Sequence, residues 1–134
     1  MNFIIFKISS KHSLIAVLLA LLITCAEPTT DQYEYIEKDA SFRSEILKSE
    51  GGNFIQLNHG FTYYMEGNMN SEKDVIILIH GFSVPSYIWN PTYQKLKNQG
   101  FRVIALDLYG RGFSDNLDTD YTDLLMANQV IELI

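Results

Sequence analysis

Val75-Ile76-Ile77-Leu78-Ile79-His80-Gly81-Phe82-Ser83-Val84-Pro85-Ser86-Tyr87-Ile88-Trp89 decides the fold of this chain. Five consecutive branched aliphatics, Val75 to Ile79, with no polar alternation predict a strand covered on both faces, the pattern of a parallel sheet with helices above and below. The strand runs directly into a glycine turn. In open α/β sheets ligands bind in the crevice outside the carboxyl ends of the strands. Function is therefore expected at His80, Gly81 and the backbone N–H of Phe82.

Downstream, Asn90-Pro91 sets a helix N-cap and a proline at the first helical position, and Gly100 sets its stop. Phe101-Arg102-Val103-Ile104-Ala105-Leu106 reads as a second buried strand, so strand, helix and strand form a right-handed parallel crossover. Asp107 follows that strand, then Leu108-Tyr109-Gly110-Arg111-Gly112-Phe113-Ser114-Asp115, whose glycines allow the loop to fold back toward the crevice. Arg111 reads as a surface or loop-bracing cation. A dinucleotide-binding fold also begins this way, but its phosphate cradle needs Gly-x-Gly-x-x-Gly, and the first turn here is Gly81-Phe82-Ser83-Val84-Pro85-Ser86.

The His80-Gly81-Phe82 turn and the Asp107 to Asp115 loop, each after an aliphatic strand, together resemble the α/β-hydrolase family. The resemblance covers Gly52 to Ile134 and implies an antiparallel hairpin entering a mostly parallel sheet, truncated after about four strands. It implies that Phe82 N–H is an oxyanion-hole donor and that His80, Gly81 and Asp107 support the turn. His80 is implied to be structural, since that family's catalytic histidine comes much later in the chain. The fourth strand is implied to lie between the second and third, which leaves Val75 to Ile79 at a sheet edge.

The family's chemistry requires a nucleophile on a Gly-x-Ser-x-Gly elbow, then an acid, then a histidine. None of the three can be placed here. Gly81-Phe82-Ser83-Val84-Pro85 ends in proline and Gly112-Phe113-Ser114-Asp115-Asn116 in asparagine, and both lie on the wrong strands. The resemblance places the elbow beyond Ile134. What it implies is the N-terminal portion of a serine hydrolase, esterase- or lipase-like, acting on carboxylic ester, lipid or other acyl substrates. An epoxide hydrolase fits less well because that branch has a proline where Ser83 stands, and a haloalkane dehalogenase because it has an asparagine where Phe82 stands. No cofactor or metal site is expected. Two other readings stand beside it: a non-catalytic envelope lipoprotein built on half the scaffold, and a gene fragment without function.

The 134 residues carry a net charge of −6 and a pI near 4.9, which argues against a nucleic-acid partner. Residues 1–26 read as a leader. Lys7, Lys11 and His12 precede the apolar run Leu14 to Ile23, which has the length of a signal-peptide core and is short for a bilayer span. Two readings stand at Cys25, the only cysteine. Leu22-Ile23-Thr24-Cys25 resembles a bacterial lipobox, with Cys25 the lipidation candidate; alternatively Thr24 and Ala26 are the small residues of an ordinary cleavage site. Either predicts an exported domain, secreted or held at the cell envelope through a lipid or an uncleaved leader.

Residues 27–40 read as a tether and 41–134 as the N-terminal part of the hydrolase domain. Within the latter, Ser41 to Lys48 is expected to be a short amphipathic helix stopped by Gly51-Gly52. Phe54 to Leu57 and Phe61 to Glu66 form a hairpin about Asn58-His59-Gly60, with His59 a turn residue. Asp120 is a candidate cap for a last helix whose packed face would carry Leu124, Ala127, Ile131 and Ile134. That helix meets the last residue without a capping signal, which points to further chain.

Overall fold

The computed structural model describes residues 36–134. The leader, the lipidation candidate Cys25 and most of the tether lie outside the described residues. Three helices and four strands follow in order: α1 (Ala40–Ser49), β1 (Asn53–Gln56), β2 (Phe61–Gly67), β3 (Val75–Ile79), a 3-10 turn (Ser86–Trp89), α2 (Asn90–Asn98), β4 (Arg102–Leu106) and α3 (Asp123–Leu133). The strands form one mixed sheet in the order β1-β2-β4-β3. β1 pairs antiparallel with β2 and β2 with β4, whereas β3 pairs parallel with β4 from Val75 against Arg102 to Ile79 against Leu106. The hairpin entry, the crossover and the central place of β4 are those implied by the sequence.

The core sits on β4, where Val103 to Leu106 are buried, because this strand has neighbours on both sides. Leu78, Tyr93, Val103 and Ala105 pack together, with Trp89 and Leu96 against them. β3 departs from the expectation of cover on both faces. Val75 and Ile79 are each 45% exposed; among the described residues β3 has one sheet neighbour and an open edge. Such an apolar edge is a template for intermolecular pairing. Residues 36–134 expressed alone should therefore aggregate; a soluble monomer with a sharp, cooperative unfolding transition would contradict this.

Helix termini show where local rules were overridden. α1 is capped by Asp39, whose carboxylate accepts from Phe42 N–H at 2.8 Å. Asn90 does not act as a side-chain cap. The 3-10 turn runs into α2, and Asn90 N–H is already satisfied by the Tyr87 carbonyl, so the first helical turn inherits its acceptors from the preceding one. Gly100 stops α2 as expected, at φ +86°. Gly100 N–H donates to Lys97 O and Phe101 N–H to Leu96 O, the paired bonds of a Schellman end.

α3 is capped by Thr122, which accepts from Leu125 N–H at 3.2 Å, rather than by Asp120. Its packed face is also different. Leu125 and Gln129, four residues apart, are buried, while Leu124 and Ile131 are 70% and 66% exposed. A buried glutamine wins the inner face because backbone groups at the end of β4 need its amide, as described below. Among the described residues, no helix is long and apolar enough to cross a membrane.

Candidate functional site at the carboxyl ends of β3 and β4

The strand ends of β3 and β4 are adjacent, so the His80-Gly81-Phe82 turn and the Asp107 to Asp115 loop leave the sheet side by side. Between them lies a crevice of about 320 Å³, bounded by His80, Gly81, Phe82, Leu108, Arg111, Tyr121, Asp123 and Met126. The two motifs singled out in the sequence thus meet in one place. Ser83 is exposed and Ser114 fully buried.

His80 is 4% exposed and bridges the two motifs. Leu108 N–H is a donor, so the Nε2 atom 3.0 Å away must accept from it. That assigns the neutral tautomer with the proton on Nδ1, which donates to Gly81 O at 2.7 Å. Both ring nitrogens are thereby engaged with backbone, and neither faces a nucleophile as a general base would. Fixing the Gly81 carbonyl also fixes the rest of its planar peptide, because in a trans amide the N–H points opposite to the C=O. The Phe82 N–H is therefore turned away from the imidazole. Among the described residues it has no acceptor.

Asp107 holds the other wall. Its carboxylate is 1% exposed and accepts from Ser86 N–H at 2.7 Å through Oδ1 and from Phe113 N–H at 2.8 Å through Oδ2. One side chain thus ties the start of the 3-10 turn to the glycine loop. The partner in that loop is the Phe113 N–H. Gly112, at φ +50°, crosses so close that a Cβ there would strike the carboxylate, hence glycine.

Several supporting residues escaped the sequence reading. Gln129 accepts from Tyr109 N–H at 2.9 Å and donates to Thr62 Oγ1 and to Asp107 O. Ser114 Oγ donates to Asp107 O at 2.6 Å and accepts from Tyr63 N–H at 2.9 Å. Lys38, assigned to the tether, donates to Gly112 O and Ser114 O from outside the sheet. Burial pulls its pKa below the ordinary lysine value, and the Asp107 and Asp115 carboxylates offset part of that shift. Burial, followed by the Asp107 charge, likewise pushes the Tyr63 phenol up to about 12. Apart from the Ser114 bond to Asp107 O, seven residues away, these contacts span 20 or more residues with no fixed spacing, so no local signal announces them.

The functions open to this arrangement are limited. Among the described residues no group of three or more His, Cys, Asp or Glu is placed to hold a metal ion. What the crevice offers is the Phe82 N–H, unclaimed among the described residues, beside a cation, Arg111, and an acid, Asp123. A backbone N–H of this kind can donate to a carbonyl or anionic oxygen.

Comparison with known proteins agrees with this geometry. Residues 76–134 match the model of the alpha/beta hydrolase family, a span holding nearly all of β3, both motifs and α3. The chain is 45% identical over 68 residues to the mesoderm-specific transcript protein of Mus musculus, covering 51% of this chain and 20% of that protein. It is 29% identical over 87 residues to the mesoderm-specific transcript homolog protein of Homo sapiens, covering 65% and 26%. Among solved structures it resembles an esterase from Exiguobacterium antarcticum at a TM-score of 0.56 and 26% identity, over 62% of this chain and 30% of that one. The haloalkane dehalogenase DpaA from Paraglaciecola agarilytica NO2 is equally similar in fold, with TM-score 0.56, 27% identity, and 62% and 30% coverage. The chain thus spans about a quarter of the human relative and about three tenths of either structure. Strand order, the sheet-end turn, the glycine loop and the matched span agree: the chain has the α/β-hydrolase fold, and residues 76–134 match that family's model.

Proposed function

We propose that this chain supplies the oxyanion side of a serine-dependent hydrolase acting on carboxylic esters or other acyl substrates. The observation that carries the reading is the Phe82 N–H, which has no acceptor among the described residues, at the mouth of the strand-end crevice on a peptide whose carbonyl is held by His80. The nucleophilic serine, the acid and the catalytic histidine would come from sequence beyond Ile134. As the serine oxygen attacks the acyl carbonyl, its carbon becomes tetrahedral and its oxygen takes up the negative charge. Phe82 N–H donates to that oxygen, and the residue after the nucleophile supplies the second N–H. A donor held in place beforehand needs no reorganisation as charge develops, which is the main source of its effect.

Both an esterase and a dehalogenase are among the structural relatives, so the substrate class rests on the turn. Phe82 stands where the dehalogenase branch carries asparagine and Ser83 where the epoxide hydrolase branch carries proline, which favours acyl chemistry. The charged and apolar halves of the leader and the Cys25 position support export, with the domain secreted or held at the envelope. The test is reaction of the native, full-length protein with a serine-directed fluorophosphonate. It is expected to take up one label and to lose its hydrolysis of a short-chain nitrophenyl ester. A folded protein that neither labels nor hydrolyses would overturn the proposal.

A further inference from the structure

We propose that Arg111 is a positioning residue for the oxyanion turn, an inference that rests on the hydrolase reading above. His80 fixes only one of the two peptide planes that flank the Phe82 Cα, the one carrying the Gly81 carbonyl. The other begins at the Phe82 carbonyl, and Arg111 Nε donates to that oxygen at 2.6 Å. The same guanidinium lies 4.7 Å from the centroid of the Phe82 ring and 5.9 Å from that of Tyr121. Arg111 therefore holds Phe82 by both main chain and side chain.

The turn needs such a clamp. The Phe82 side chain is 84% exposed, so packing against the core cannot fix its backbone. Among the described residues, no donor other than Arg111 reaches the Phe82 carbonyl. Arg111 is itself well placed to hold it. Its backbone lies between Gly110 and Gly112, both at positive φ, in a loop anchored by Asp107 at Phe113 N–H and by a bond from Gly110 N–H to Asp115 O at 2.8 Å. The aromatic floor under that loop is Tyr121, whose ring occupies the space a Cβ at Gly110 would need. A planar fork that stacks on an aromatic ring while donating along its edge is a geometry available to arginine and not to lysine.

The experiment compares wild type, Arg111→Lys and Arg111→Ala in the full-length protein by two readouts. The first is the backbone 15N order parameters of Phe82 and Ser83. In wild type these should lie near the rigid value of about 0.85, falling below about 0.6 in Arg111→Ala with the rest of the sheet unchanged. The second is ester turnover. Arg111→Ala should lose kcat about tenfold at unchanged KM, less than deletion of the donor itself would cost. Methylguanidinium should restore part of that loss, and Arg111→Lys should stay impaired despite keeping its charge. Unchanged order parameters at Phe82 and Ser83 would overturn the inference whatever the turnover. So would a general loosening of the sheet with kcat and KM both altered and no rescue. A wild-type protein that neither turns over ester nor takes up fluorophosphonate sinks the hydrolase reading instead, and with it the positioning role.

Discussion

Exchanging the Phe82 amide for an ester, by incorporating phenyllactic acid at position 82 of the full-length protein, should lower kcat for a short-chain ester by roughly a hundred- to a thousandfold. KM should not change. The substitution removes one N–H and leaves the ring, the Arg111 stack and the Gly81 carbonyl in place. It therefore isolates the donor. The effect is large because that donor contributes mainly when the carbonyl oxygen carries charge, so its loss falls on the transition state and not on substrate binding. Retention of kcat within about threefold would remove Phe82 from the oxyanion hole, since oxyanion-hole donors cost far more than that when lost.

Asp107→Ala should destabilise the full-length protein by about 3–5 kcal/mol, since it strips one buried and one part-buried N–H group of a charged acceptor. Ser86 N–H and Phe113 N–H would be left without their partners, and the Lys38 ammonium would lose one of the two carboxylates that offset its burial. Asp107→Asn should fall between the two, because its amide still accepts one N–H but turns a donor toward the other. Urea denaturation at neutral pH reads the result as a fall in midpoint. A cost below about 1 kcal/mol for the alanine variant would mean that water replaces the carboxylate at both sites, and that Asp107 does not join the two walls.

The parts of this structure that were legible in the sequence are those set by short-range rules. The hairpin about Asn58-His59-Gly60, the crossover between β3 and β4 and the Gly100 helix stop each follow from residues within a few positions of one another. The juxtaposition of the two motifs was legible only through the family resemblance, which supplied the strand order. Apolar periodicity failed on α3 because it counts apolar residues without knowing which backbone groups the sheet leaves unpaired. Tyr109 N–H and the Asp107 carbonyl required an amide, so Gln129 took the inner face and Leu124 and Ile131 were left outside. Asn90 failed as a cap for a similar reason, since a preceding turn had already satisfied the first amides. Lys38 and Ser114 were not recognisable because their partners are backbone atoms brought near by the fold. Arg111 was expected to be a surface or loop-bracing cation; it donates to Gly110 O within its own loop and also reaches across to the neighbouring turn at Phe82 O.

The most direct test of the central claim is to locate the fluorophosphonate adduct in the native protein by tandem mass spectrometry, together with its intact mass. The hydrolase reading predicts a mass well above that of 134 residues and a single modified serine, within a Gly-x-Ser-x-Gly sequence beyond Ile134. A native mass that matches the 134-residue chain or its processed form, with no serine modified, would contradict it.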